Sequence, residues 1–254
     1  MKNIGNRFDI VSSMSIEYYH KWGAYMIQTF LLNWHPNFTM TLYSEDLLPI
    51  DHPRIRVVSL DKFGKELKKF INEQHTNDRA AIFAKKAWPI MHHLTPNNGY
   101  LIWVDADVMT ESFMYPKYIT ELVGDKFSAH LGVPQGDYYS VETGFFVINR
   151  AYRLKNLFLK RYKKVYMDRD FSNMYKPFDG DTFGRVITEC IADGLEYNEL
   201  SPKPDKVRSP FNKRFEGKMW HLKGKHKDKD PNDSPRLQRQ LNKLSKMLPS
   251  STST

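Results

Sequence analysis

The sequence predicts an α/β fold, a mixed sheet flanked by helices, on three observations. Short apolar runs rich in β-branched and aromatic residues alternate along the chain with longer helical segments. The apolar stretches are much shorter than the roughly 20 residues that a membrane span requires. One run, Tyr100-Leu101-Ile102-Trp103-Val104, ends abruptly in Asp105-Ala106-Asp107. In open α/β sheets, ligands bind beyond the carboxyl ends of such strands.

The elements follow in order. Phe8 to Ser13 reads as the first strand, and Tyr18 to Trp34 as a helix that stops before Pro36. Thr39 to Tyr43 and Ile55 to Leu60 are the second and third strands. Helical segments occupy Lys62 to Glu73 and Arg79 to Leu94, the latter bent near Pro89. After the Asp105 strand come a helix at Tyr115 to Val123, an extended segment at Ser128 to Val133 and a strand at Glu142 to Asn149. Helices at Leu154 to Met167 and Asp181 to Ala192 close the regular pattern. No internal repeat is visible. Near Asp228 the apolar pattern gives way to Lys, Asp, Pro, Asn and Ser, so the chain divides into a domain at 1–227 and a basic tail at 228–254.

Length and composition, 254 residues with 41% hydrophobic and 14% aromatic, belong to a globular protein with one large core. The first residues carry no apolar signal-peptide core, and the single Cys190 forms no intrachain disulfide or cysteine metal cluster; both point to the cytoplasm. Cys190 itself reads as a buried apolar residue. A net charge of +9 indicates polyanionic company: nucleic acid, an anionic membrane or phosphorylated small molecules. Lysine and arginine thicken after Lys203.

In an extended chain, side chains two apart share a face, so Asp105 and Asp107 can converge on one cation while Ala106 points away. The spacing alone is weak, because Asp168/Asp170, Asp179/Asp181 and Asp228/Asp230 repeat it and such triplets are mostly solvated loop acids. Three further groups gain meaning beside it. Glu142-Thr143-Gly144 puts an acid and a glycine just ahead of an apolar strand, where the glycine marks either a close ligand approach or a bulge. Asp181 stands at a helix start, where capping is its ordinary role. His221-Leu222-Lys223-Gly224-Lys225-His226-Lys227 joins imidazole, glycine and ammonium groups, types that are usually structural or solvated when alone. Together, two carboxylates and an imidazole can hold a divalent cation, and glycine backbone and lysine can receive a diphosphate. A cation so held can neutralise a departing pyrophosphate, which is the chemistry of nucleotide-sugar transfer.

Taken in order, Ser12-Ser13, the Leu101 to Asp107 strand and acids, Glu142-Thr143-Gly144-Phe145, Asp181-Thr182 and His221-x-x-Gly224-x-x-Lys227 resemble the metal-dependent GT-A glycosyltransferases, a Rossmann-like fold, and most nearly glycosyltransferase family 8. The resemblance covers roughly Phe8 to Lys227. It implies a metal-dependent hexosyltransferase using a nucleotide-sugar, UDP-sugar first and GDP-sugar next, in surface polysaccharide or lipopolysaccharide synthesis. It implies that Asp105 contacts the ribose and the metal, that Asp107 and His221 ligate Mn²⁺ or Mg²⁺, and that Gly144, Gly224 and Lys227 approach the sugar and diphosphate. Ser12, Ser13 and Lys85 or Lys86 then lie at the nucleotide, while Glu142 and Asp181 stand at the sugar as catalytic or acceptor-orienting acids. The chain departs from family 8 in having Glu142-Thr143-Gly144 in place of an amide-bearing turn, Thr182 in place of Gln, and Asp228 after the lysine. Retention is favoured, with the departing phosphate taking the acceptor's proton; inversion would need Glu142 or Asp181 as general base.

In the tail, Leu237, Leu241, Leu244 and Leu248 recur at helical spacing among Arg236, Arg239, Lys243 and Lys246. This is a short basic amphipathic helix that either rests on an anionic membrane bearing a lipid-linked acceptor or packs on the domain. Two rival classes remain open: a nucleic-acid-binding protein using the charge and Tyr138, Tyr139 and Trp220 (with a glycosyltransferase acting on modified DNA as a compromise), and a catalytically silent sugar-binding relative.

Overall fold

The computed structural model describes residues 7–73, 78–135, 138–172, 174, 178–201, 210–222 and four positions of the tail, 235, 238, 239 and 242. Gly224, Lys227, the Asp228/Asp230 triplet and the tail leucines therefore lie outside the described residues.

The chain opens with strand β1 (Phe8–Ser13) and a helical run made of α1 (Ile16–Tyr18), a π-helical turn at Tyr19–Gly23 and α2 (Ala24–Asn33). Strands β2 (Thr39–Ser44) and β3 (Ile55–Ser59) follow, then a 3₁₀ turn at Leu60–Phe63, α3 (Gly64–Asn72) and α4 (Asp78–Leu94), which continues through Pro89. Next come β4 (Tyr100–Val104), β5 (Val108–Thr110), α5 (Pro116–Val123), β6 (Ser128–Gln135) and β7 (Tyr138–Asn149). The last elements are α6 (Lys155–Asp168), α7 (Asp179–Ile191), β8 (Tyr197–Glu199), α8 (Pro210–Arg214) and β9 (Met219–His221).

Seven strands form one sheet in the order β3-β2-β1-β4-β7-β6-β8, and β5 pairs with β9 in a small second sheet. Only β7 runs against the others: β4–β7 and β6–β7 are antiparallel, and every other pairing in the large sheet is parallel. A mostly parallel sheet must be covered on both faces, and here successive side chains enter opposite cores. Leu101 and Trp103 of β4 join Phe146 and Ile148 of β7 under α4, α6 and α7; Ile102 and Val104 join Phe145 and Val147 on the α2 side. Among the described residues, no helix is long and apolar enough to cross a membrane.

The strand order places a switch point between β1 and β4. The chain leaves β1 towards β2 and β3, then returns to lay β4 on β1's other edge, which opens a crevice beyond their carboxyl ends.

Four sequence expectations change. Glu142 and Gly144 lie inside β7, not ahead of it, because the strand begins at Tyr138. Helix α7 starts two residues before Asp181, with Phe178 at the cap position and no side-chain cap bond, so Asp181 does not cap it. The Asp179/Asp181 triplet is buried rather than solvated, whereas Asp168/Asp170 stays at the surface, with Asp170 drawn to about 2 by Arg185 and Ser172. Trp220 is 5% exposed and packs in the core, so it offers no stacking face for a nucleobase. Cys190 is buried on α7, as read from the sequence.

Gly180 and Gly184 explain how α7 reaches the site. A β-carbon at Gly180 would meet the Val141 carbonyl at 2.3 Å, and one at Gly184 would meet the Tyr139 carbonyl at 2.3 Å. The first turns of α7 therefore lie directly on the β7 backbone. That contact brings Asp179 beside the end of β4.

Candidate metal and nucleotide site

β4 ends at Val104, and Asp105 to Asp107 turn rather than extend, closed by Val108 N–H donating to the Asp105 carbonyl at 3.0 Å. The two carboxylates read from the sequence do converge, but because the chain bends into β5, not because strand residues alternate. The third group arrives from far along the chain. β9 pairs with β5 in the register Val108↔His221, and Leu222 N–H donates to the Asp107 carbonyl at 3.2 Å. Asn212 on α8 fixes His221 from both sides of its backbone, accepting from its N–H at 2.8 Å and donating to its carbonyl at 3.3 Å.

Asp105, Asp107 and His221 each offer one ligand atom, and the three atoms lie within 4.8 Å of one another. His221 Nε2 is 3.1 Å from Asp107 Oδ1 and 3.9 Å from Asp105 Oδ2. The opposite atom of each group is held from outside. Asp105 Oδ1 accepts from Trp103 Nε1 at 2.6 Å and from Lys86 Nζ at 2.7 Å. Asp107 Oδ2 accepts from the Tyr18 hydroxyl at 2.8 Å, and His221 Nδ1 lies 3.2 Å from Glu142 Oε1. Both His221 nitrogens are buried and near carboxylate oxygens, yet neither is aligned for a hydrogen bond. Two carboxylate oxygens, each carboxylate steadied by an outer donor, and an imidazole nitrogen aimed at one point form the donor set of a divalent cation.

Lys86 is 6% exposed, so it is a wall residue rather than a surface cation. Its ammonium bridges Asp105 Oδ1 and Asp179 Oδ2, each at 2.7 Å, donates to the Thr143 carbonyl at 2.7 Å, and sits 4.8 Å from the Trp103 ring centre. Burial alone would lower its pKa, but the charges of Asp105 and Asp179 outweigh burial and raise it. For Asp179 burial pushes the carboxyl up, and Lys86 and Thr143 together hold it below its usual range. Burial, reinforced by the Asp107 charge, raises the Tyr18 phenol far above its ordinary value, so its proton stays on oxygen as donor.

Gly144 has a use that the sequence reading did not reach. A β-carbon there would stand 2.5 Å from both Cε1 and Nδ1 of His221, so the glycine makes room for the imidazole. Gly144→Ala is expected to push the ring away from Asp107, destabilise the protein by about 1–3 kcal/mol, and abolish divalent-cation binding. Mn²⁺ titration followed by the paramagnetic signal of the free ion checks this, and unchanged affinity would refute the packing role.

A cleft of 510 Å³ opens at the switch point, lined among others by Ser13, Tyr18, Glu45, Lys85, Lys86, Asp105 and Asp107. Its size suits a small-molecule ligand. Ser12 is wholly buried, so only Ser13 of the serine pair reaches the lining. Lys85 reaches it paired with Glu45 at 2.6 Å. Glu142 and Asp181 are buried and are not among the residues that line this cleft. Asp179, Tyr18, Trp103 and Asn212 join the site unannounced by sequence; Asp179 alone carried a signal, its Asp-x-Asp triplet.

Solved structures share this architecture. An active-site mutant of LgtC matches with a TM-score of 0.53 and 14% identity, covering 95% of this chain and 98% of that one. The fold is that of the GT-A glycosyltransferases. The galactosyltransferase LgtC with donor and acceptor sugar analogues gives 0.49 and 12% over 95% of this chain and 98% of that one. The glycosyltransferase GlyE of Streptococcus pneumoniae TIGR4 gives 0.46 and 12% over 77% of this chain. The chain spans 45% of GlyE and 38% of the bifunctional glycosyltransferase WbbM, which it matches with a TM-score of 0.47, 11% identity and 72% of its own length. No protein-family model and no curated protein matches the chain. Within this GT-A frame the Asp105, Asp107 and His221 group lies past the end of β4 and the cleft spans the ends of β1 and β4, the crevice position where open α/β sheets bind ligands.

Proposed function

We propose that the chain is a metal-dependent glycosyltransferase that moves a hexose from a nucleotide-sugar, UDP-sugar first, to a surface-glycan or lipid-linked acceptor. The observation that carries it is the triad of inward-facing ligand atoms from Asp105, Asp107 and His221 at the edge of the 510 Å³ cleft. Bound there, Mn²⁺ or Mg²⁺ supplies charge neutralisation to a departing diphosphate. Ser13 and Lys85 line the nucleotide's share of the cleft, and Lys86 holds Asp105 in place for ribose and metal. Glu142 acts through His221: a carboxylate behind a metal-binding imidazole fixes its orientation and strengthens its donor atom. Asp179 and Asp181 open α7 beside β7 and are the acids assigned to the sugar side, Asp179 through its ion pair with Lys86. Retention is favoured on the resemblance to family 8, with the leaving phosphate receiving the acceptor's proton. Gly224 and Lys227 are assigned to the diphosphate on resemblance alone, and the basic tail to a peripheral contact at the inner membrane face, in the cytoplasm.

The test is a thermal-shift panel of UDP, GDP, CDP and their sugars with and without Mn²⁺, followed by NMR of the product formed with the donor that binds. A nucleotide that stabilises only with metal, and a product of retained anomeric configuration, are expected. No shift with any nucleotide would end this reading, and an inverted product would return Glu142 or Asp181 to the role of base.

A further inference from the structure

Tyr18 both walls the cleft and bonds to the metal triad, donating its hydroxyl to Asp107 Oδ2 at 2.8 Å, as Trp103 does to Asp105 from the strand side. Its position is unusual for a helical residue. The run from Ile16 to Asn33 is interrupted directly after Tyr18 by the π turn, in which Ala24 N–H donates to the Tyr19 carbonyl five residues back. Such a turn carries one residue more than an α-turn, so what precedes it is rotated by about 100° relative to an uninterrupted α-helix. Past the turn, α2 is anchored in the core by Met26, Ile27 and Phe30. Before it, Tyr18 N–H donates to Ser15 Oγ and Ile16 N–H to Asp46 Oδ2. The turn itself presses on the β1 loop: a β-carbon at Gly23 would stand 2.4 Å from Met14 Sδ. With α2 fixed on one side and the Ser15 cap on the other, the inserted residue decides which way Tyr18 points.

We propose that Tyr18 is a positioning residue for the metal ligand Asp107, aimed by the π turn at Tyr19–Gly23, so that one side chain couples the metal and the nucleotide cleft. The proposal rests on the reading that Asp105, Asp107 and His221 hold a divalent cation. With Oδ2 occupied by the Tyr18 hydroxyl, Asp107 presents Oδ1 towards His221 Nε2. Losing the hydroxyl lets the carboxylate rotate, and the effect appears in metal affinity before it appears in folding. A merely structural tyrosine would show the reverse order.

Four proteins test it by Mn²⁺ titration, read from the paramagnetic signal of free Mn²⁺, alongside melting temperature without metal: wild type, Tyr18→Phe, deletion of the exposed His20, and the two changes combined. Tyr18→Phe is expected to weaken Mn²⁺ binding about tenfold, the lower end of the loss that follows removal of an outer partner, with its melting temperature nearly unchanged. Deleting His20 turns the π turn into an α turn and is expected to weaken binding equally. Adding Tyr18→Phe to the deletion should then have no further effect, because the hydroxyl no longer reaches Asp107. Tyr18→Phe with wild-type affinity, or effects that multiply in the combined protein, would overturn the proposal while leaving the metal site standing. Wild type that binds no Mn²⁺ would remove both.

Discussion

Lys86→Met is expected to destabilise the protein by about 3–5 kcal/mol, the range for breaking a buried ion pair from one side. At roughly 2–4 °C per kcal/mol for a chain of this size, the melting temperature should fall by about 10 °C at neutral pH. The change removes one ammonium from between two carboxylates, the half-buried Asp105 and the buried Asp179, whose burial its 2.7 Å contact offsets. The pH dependence separates this cause from lost packing. In the wild type Asp179 titrates below its usual value, so its share of stability is complete above the ordinary carboxylate range and is lost as pH falls through the depressed value. Lys86 titrates above its usual value, so its share is complete below the ordinary lysine range and is lost as pH rises through the raised one. In the variant, burial acts on Asp179 without its counter-charge, so the acid is stabilised in its protonated form and the penalty appears only as pH rises past the ordinary carboxylate range. The gap between wild type and variant should therefore be widest near neutral pH and shrink towards pH ~4. Melting curves across that interval decide it, and a gap that stays constant would mean that the lysine stem, not its charge, carries the effect.

The part of this arrangement that sequence exposes is the part written in local pattern. β1, β2, β4 and the helices over Leu67, Trp88 and Phe158 are legible because period-two and helical apolar spacing is set by which face each residue buries. Asp105 and Asp107 stand out because an apolar strand stops at them. What sequence conceals is whatever depends on a short element or a contact between distant segments. β5 and β9, three residues each, have no periodicity to read, yet their pairing brings His221 to Asp107. The part that Gly144 plays beside the imidazole cannot be read locally, because His221 comes from far along the chain. Asp179 looks like one more solvated acid because its partner, Lys86, lies on a helix early in the chain. Tyr18 is hidden most deeply, since hydrophobic spacing across Tyr19–Gly23 does not distinguish a π turn from an α turn.

Asp107→Asn should separate folding from binding more sharply than any other single change. Asparagine keeps the shape, and its amide oxygen can still accept from the Tyr18 hydroxyl, so the helical run before α2 keeps its anchor. Without metal the substitution also thins a cluster in which Asp105, Asp107 and Glu142 gather round one imidazole, and like charges that close oppose one another. The melting temperature of the metal-free variant is therefore expected to equal or exceed that of the wild type. Ligand stabilisation should move the other way. At 100 times its dissociation constant a ligand stabilises the folded state by about 2.7 kcal/mol, roughly 5–10 °C for this chain. Losing an inner carboxylate weakens metal binding by more than the 10–100-fold typical of an outer partner. At the same Mn²⁺ concentration the variant then gains about 0.4 kcal/mol or less, and a nucleotide that needs the metal loses its shift as well. If Asp107→Asn instead kept the full Mn²⁺-dependent shift, the cation would not be held by the Asp105, Asp107 and His221 triad. A lower metal-free melting temperature would mean that Asp107 is an ordinary structural acid whose charge the fold requires.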